Sequence, residues 1–298
     1  MPGRPTAPRH LVAIANALRK AMTPMDRKPF ASCPSGQATA VTRVADGQWH
    51  VLEDDLVVGR GHAGRWPDGR LFISIDAWHV GAFDRLAEAM LTDLPAPLFT
   101  VVDEADAELT SAWRRAGFRA RRREWEFVVP TDPHVTGLGA ILPPPGVRIV
   151  SAGQADASLL RALDRAIRDE VEGSVGWQSM PAEVGFRAEG ITIADPSRYA
   201  VAMASDRYLG LIRLVTATRQ PRIGLIAVRA SEQRRGIARA LLSHVLGTLH
   251  RSGIAAASAE VDEGNTAALA LIEGIGGRRM SSNLELVNRS IVDYVVQS

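Results

Sequence analysis

Cysteine is nearly absent from this chain: there is one, Cys33, in 298 residues. A single thiol forms no internal disulfide, so a disulfide-stapled secreted scaffold is excluded and a reducing cytoplasm is the expected setting. Excess charge of one sign is also missing. A formal net charge of +2 gives no global reason to expect a nucleic-acid partner. No apolar run approaches the length of a membrane span, and no signal-type apolar stretch follows Met1-Pro2-Gly3-Arg4-Pro5, so no membrane partner is expected. The seven histidines fall at no metal-ligand spacing, and no metal is expected.

What is present is ample apolar content, 46% over a length sufficient for two ordinary domains. Residues 1–40 are hard to place. Leu11, Ile14 and Leu18 give His10–Met22 a helical rhythm, but Pro, Gly and Ser surround it. From Trp49 short strand-like runs separated by Asp54-Asp55 and Pro67-Asp68-Gly69 lead to an amphipathic helix over Ala82–Leu91 and a strand over Leu98–Val102. Residues 41–130 are expected to form one domain, the Pro-rich residues 131–146 a linker, and residues 147–298 a second domain. The second opens with a strand at Val147–Val150, a helix striped by Leu159, Leu163 and Ile167, and a hairpin about Ser205-Asp206-Arg207.

The two halves share a pattern. Val102-Asp103-Glu104, Asp106, Trp113 and Gly117 recur, offset by 159 residues, as Val261-Asp262-Glu263, Asn265, Ile272 and Gly276. A repeat at domain scale predicts two copies of one fold. The Arg-rich stretch Arg114, Arg115, Arg119 and Arg121–Arg123 beyond the first copy reads as a solvated helix end and strand face in preference to the alternative, a contact for an anionic partner.

The most informative stretch is 223–277. Ile223–Val228 has the character of a buried strand; Ile237, Leu241, Val245 and Leu249 then form one helical stripe. The loop between them presents the unpaired first amides of a helix, together with the positive end of its dipole, and so forms an anion site. Gly236 and Ala238 leave room for a phosphate while Arg234, Arg235 and Arg239 supply charge. The spacing is that of neither the nucleoside-triphosphate loop nor the dinucleotide fingerprint.

Gln233-Arg234-Arg235-Gly236-Ile237-Ala238 instead resembles the pyrophosphate loop of the GCN5-related N-acetyltransferases (GNAT), Gln/Arg-x-x-Gly-x-Gly/Ala. The preceding Ile226-Ala227-Val228, the following amphipathic helix, and the strand Ala257–Val261 leading to Asn265 and then Gly276-Gly277 resemble the family in order and spacing. The resemblance implies an α/β (α+β) chain of two tandem GNAT-like domains, each a mixed, mostly antiparallel sheet flanked by helices. The first copy has Trp78 and Phe83 where the loop would fall, and reads as degenerate.

The same resemblance implies acetyl-coenzyme A as donor. Its pyrophosphate would lie on the amides of Arg234–Arg239, its pantetheine along Ile226, Ala227 and Val228, and Asn265 would begin the neighbouring helix. An N–H near Val228 would polarise the thioester carbonyl. Glu260, near the position where some members carry a glutamate base, is the candidate catalytic residue; alternation puts it and Asp262 on one strand face, which meets either the cleft or solvent. Ile272 stands where many members have a thiolate-protonating Tyr, leaving the general acid unassigned. Asp169, Glu170, Glu172, Trp177 and Asp262 are the candidate acceptor contacts, either an acidic mouth for a cationic amine or a solvated helix end. The expected activity is acetyl transfer to the primary amine of a small molecule such as an aminoglycoside, polyamine or amino sugar. A non-catalytic coenzyme-binding or scaffolding role and peptide N-terminal acetylation are the alternatives; the oligomeric state stays open.

Overall fold

The structure, a computed structural model, describes residues 39–66, 68–174, 176, 195–216 and 220–289. They form two compact units: the first comprises residues up to Arg122 together with those from Asn283 onward, the second Arg123–Ser282.

The first unit contains β1 (Thr39–Ala45), β2 (Gln48–Glu53), β3 (Leu56–Arg65), β4 (Leu71–Ala77), α1 (Val80–Asp93), β5 (Leu98–Asp103) and α2 (Ala107–Arg115). Strands β1 to β4 are an antiparallel meander. The β2–β3 turn places Asp54 and Asp55 at φ 49° and 62°, a left-handed conformation that Asp tolerates and that suits a tight hairpin. Strand β5 follows the α1 crossover and lies parallel to β4. Phe83, Leu86 and Met90 of α1 are fully buried against the sheet. A Cβ on Gly61 of β3 would stand 2.5 Å from Met90 Sδ, so that glycine sets how closely the helix approaches. Trp113 of α2 packs edge-on against Phe83 and Phe118, with centroids 5.0 and 4.7 Å away.

The second unit takes residues from 123 of β6 (Arg119–Pro130), then α3 (Pro133–Thr136), β7 (Val147–Val150), α4 (Ala157–Glu172), β8 (Tyr199–Ala204), β9 (Arg207–Val215), β10 (Arg222–Val228), α5 (Ile237–Arg251), β11 (Ala256–Asp262) and α6 (Thr266–Glu273). Its strand order is β6-β11-β10-β9-β8-β7, with β10 and β11 parallel and the other pairs antiparallel. One sheet face packs Ala257, Ala259 and Val261 with Ile237, Leu241 and Val245 of α5; the other packs Val201, Tyr208 and Leu211 with Leu160 and Leu163 of α4.

Each unit is thus a mixed, mostly antiparallel sheet flanked by helices, the fold class that the sequence resemblance implied. The shared sequence pattern has a local physical cause. Asp106 Oδ1 accepts from the Leu109 amide at 2.9 Å, Asn265 Oδ1 accepts from the Ala268 amide at 3.0 Å, and both repeats are a strand, a cap and a short helix. The linear partition differs from the pairing at three places. Residues 123–130 of β6, read as the end of the first domain, pair with β11 in the second unit. Residues 283–288 of β12 (Arg278–Asn288) lie antiparallel to β5 in the first unit, since Leu284 and Leu286 supply apolar side chains to that core. Residues 131–146, read as a linker, are partly packed: Leu138 is buried in the second core and its carbonyl accepts from Ser243 Oγ at 2.9 Å.

Candidate functional site

The anion-binding reading of the loop rests on the start of α5. Gly236 is its N-cap at φ 87°, ψ 0°, left-handed backbone that glycine adopts without strain, and no side chain caps the helix. The first intrahelical bond is Ala240 N–H to the Gly236 carbonyl at 3.0 Å, leaving the amides of Ile237, Ala238 and Arg239 without helical partners. A Cβ added to Gly236 would meet nothing within 4 Å, so the approach to these amides is open. Arg234 is also left-handed, at φ 63°, strain of roughly 1 kcal/mol or more that tends to occur at ligand-binding loops. Gln233 Nε2 donates to the Val228 carbonyl at 3.3 Å, tying the loop to the end of β10, and Arg235 pairs with Glu232. Ile237 itself is buried in the core and anchors the helix rather than facing a ligand.

The corresponding helix of the first unit is closed. His79, the N-cap of α1, accepts the Ala82 amide on Nδ1 at 3.1 Å, and its Nε2 lies 3.1 Å from Glu53 Oε2. A side chain already occupies the place an anion would take.

Beside the α5 start the sheet is split. Strand β10 pairs with β9 as far as Val228↔Gly210, but its parallel pairing with β11 covers only Arg222↔Ser258 and Ile223↔Ala259. A register shift between Ile223 and Leu225, where Gly224 is the extra residue, marks the point of divergence. Beyond it Ile226, Ala227 and Val228 keep their pairing with β9 and have none with β11.

On β11, Ala257, Ala259 and Val261 are buried, which turns Ser258, Glu260 and Asp262 to the opposite face. Strand β6 lies alongside with Glu260↔Glu126 and Asp262↔Glu124 in register, so four carboxylates share one face. They are individually held. Arg222 Nη1 donates to Glu260 Oε2 at 3.1 Å, with both side chains about six-sevenths buried at 13% and 15% exposure, and Ser281 Oγ donates to Glu126 Oε2 at 2.6 Å. Asp262 Oδ1 accepts the Gly264 amide at 2.8 Å, while Glu263 pairs with Arg123 at 2.8 Å. Sequence reasoning missed Glu124 and Glu126. Their signal was the alternation with Trp125, Phe127 and Val129, which identifies a two-faced strand but not its neighbour.

The acceptor candidates on α4 are divided. Glu170 accepts from Arg229 Nε at 2.6 Å and from the Ala230 amide at 2.8 Å, so it braces the segment leading into the loop. Asp169 and Glu172 are exposed at the helix end, and Trp177 lies outside the described residues. Ile272 is buried beneath Gly277, where a Cβ would stand 2.6 Å from Ile272 Cγ2; that position offers an apolar contact and no acid. Among the described residues no group of three or more metal ligands occurs, and no helix is long and apolar enough to cross a membrane.

The short parallel pairing of β10 with β11 thus lies beside an uncapped helix that starts at a glycine. Residues 162–276, within the second unit, match the model of the acetyltransferase (GNAT) family. Similar solved structures include a GCN5-related N-acetyltransferase from Sphaerobacter thermophilus, with 17% identity, 83% of this chain and 82% of that chain covered and a TM-score of 0.54. A tandem GNAT protein from the clavulanic acid biosynthesis pathway has 14% identity, 94% and 95% coverage and a TM-score of 0.59. A GCN5-related N-acetyltransferase from Kribbella flavida has 13% identity, 96% and 97% coverage and a TM-score of 0.51. At these identities the likeness is one of fold. No curated protein sequence matches the chain.

Proposed function

We propose that this protein is an acetyl-coenzyme A-dependent N-acetyltransferase acting on the primary amine of a small molecule. The observation that carries the reading is the open Gly236 N-cap at the mouth of the β10–β11 split: unpaired amides and Arg234, Arg235 and Arg239 suit a pyrophosphate, and the free edge at Ile226–Val228 suits the pantetheine amides. GNAT enzymes generally take acetyl-coenzyme A, and the residues here fit it. The family match over residues 162–276 supports the acyltransferase class, and this chain's own charges point to the acceptor.

The row Glu124, Glu126, Glu260 and Asp262 favours a cationic acceptor, an aminoglycoside or another amino sugar among them, because an ammonium group entering there finds several carboxylates. Such an amine must lose a proton before it can attack. Glu260, directly or through water, is the proposed proton acceptor, with Arg222 fixing its rotamer. Glu126, directly opposite, is the next carboxylate to test. An N–H near Val228 stabilises developing negative charge on the thioester oxygen, and a coenzyme thiol, with an ordinary value of roughly 8.5, leaves without a strong acid. The N-terminal copy, its helix start closed by His79, serves as structure rather than as a second donor site. A cytoplasmic location follows the same reading.

The second reading, coenzyme binding without turnover, is favoured by two facts: Ile272 is core and Glu260 is already paired. Thiol release from acetyl-coenzyme A, followed over a panel of aminoglycosides, polyamines and peptide N-termini, separates the two. Acceptor-dependent release supports the enzyme; donor binding with no release from any acceptor supports the alternative.

A further inference from the structure

We propose that the N-terminal unit binds an amino-acid-sized zwitterion in the slot between β4 and β5, with its carboxylate on Arg60 and its ammonium group on Asp76. The slot exists because β4 and β5 pair in parallel only at Leu71↔Leu98 and Phe72↔Phe99 and then diverge. It forms a cavity of about 240 Å³ whose lining includes Arg60, His62, Ser74, Asp76, Thr100 and Trp113.

Strand alternation explains why polar groups gather there. On β3, Gly59 and Gly61 lie beneath Leu86 and Met90 of α1, which turns Arg60 and His62 to the other face. On β4, Ile73 and Ile75 are core, turning Ser74 and Asp76 the same way. The register Arg60↔Asp76 and His62↔Ser74 sets the four side chains in a compact block. This block is chemically incomplete. Arg60 and Asp76, cross-strand neighbours that are both exposed, make no ion pair with each other or with any other group among the described residues, and His62 Nδ1 is buried with no hydrogen-bond partner among them. Burial also holds the His62 pKa below its ordinary value, which favours a neutral ring able to accept or donate at that atom. A buried polar atom left unpaired costs about 1–3 kcal/mol, which a ligand group at that position recovers.

The ligand class follows from charge, spacing and size. Arg60 and Asp76 stand directly opposite, with Cβ atoms roughly 5 Å apart, so a cation and an anion are offered side by side to the two ends of an α-amino acid, and a guanidinium binds a carboxylate in a fork. Half-buried Leu109, backed by the core side chain of Trp113, offers an apolar contact for a side chain. The volume lies below the roughly 300–1,000 Å³ of pockets for drug-sized ligands, so a whole coenzyme is too large, and the His79-capped helix offers no phosphate seat. This site is therefore separate in chemistry from the Gly236 loop.

Titration calorimetry on the full chain tests the proposal, with L-leucine and L-phenylalanine as probes and N-acetyl-L-leucine and L-leucinamide as their charge-deleted counterparts. At least one free amino acid should bind saturably at one site. N-acetylation, which removes the ammonium group, and amidation, which removes the carboxylate, should each weaken binding tenfold or more. Arg60→Gln and Asp76→Asn should do the same, whereas Gly236→Glu should leave this binding unchanged. No binding of either free amino acid overturns the proposal, as does binding that survives both substitutions or both ligand modifications, or binding lost in Gly236→Glu. The ligand series needs no variant, so it decides the question even where a substitution impairs folding.

Discussion

Replacing Gly236 with Glu tests the donor site most directly, and the structure sets the size of the effect. At φ 87° any residue with a Cβ is strained, by roughly 1–2 kcal/mol. No atom lies within 4 Å of the added Cβ, so no clash adds to this, and a carboxylate at a helix N-terminus returns about 0.3–1 kcal/mol. The fold should therefore lose at most about 2 kcal/mol, a fall in Tm of roughly 4–8 °C for a domain of this size. Donor binding should suffer far more. The new carboxylate competes for the amides of Ile237–Arg239, and a like charge about 4 Å from a phosphate costs on the order of 4 kcal/mol at an effective dielectric constant near 20. That corresponds to roughly a thousandfold rise in the Kd for acetyl-coenzyme A. Gly236→Ala adds the strain without the charge, and should shift Tm similarly while changing Kd about tenfold or less. Calorimetry with a parallel thermal melt reads both quantities. If folded Gly236→Glu binds acetyl-coenzyme A within a few-fold of the parent protein, the assignment of the loop is wrong.

Crystals soaked in acetyl-coenzyme A should show donor density at the start of α5 and none at the start of α1, because His79 occupies the first amides there; density at Val80–Ala82 refutes a purely structural first copy. Glu260→Gln should preserve donor binding and lower kcat/KM by on the order of a hundredfold or more, with a weakly basic acceptor, neutral at the assay pH, less affected than a strongly basic one. Equal losses for the two acceptors assign Glu260 to acceptor binding, and no loss moves the test to Glu126. His244, whose Nε2 lies 3.0 Å from Ser151 Oγ, has its pKa lowered first by burial and then by the charge of Arg251. The unfolded chain therefore takes up this proton first: the contribution is present above the ordinary value of 6.5 and is lost as pH falls below it. Urea melts of His244→Gln should show a weaker dependence on pH than the parent as the pH falls below 6.5, and an unchanged slope contradicts the reasoning.

What the sequence determined by itself was local. Gly236 before a four-residue apolar stripe, Asp106 and Asn265 three residues before the amides they cap, and strand alternation at 257–262 all act over a few residues, where geometry follows spacing. The repeat was legible for the same reason, since it is a repeat of strand, cap and helix. The tertiary structure decided which strands meet. Alternation put Glu260 on a face but did not show that Arg222 would hold it or that Glu126 would stand opposite, and it did not show that Glu170 turns to Arg229 and Ala230 instead of an acceptor. Nor did it assign residues 283–288 to the first unit or reveal the slot that Arg60 and Asp76 line. Sheet partners are chosen by apolar faces brought together across long stretches of chain, and a period of two fixes a face without naming its neighbour.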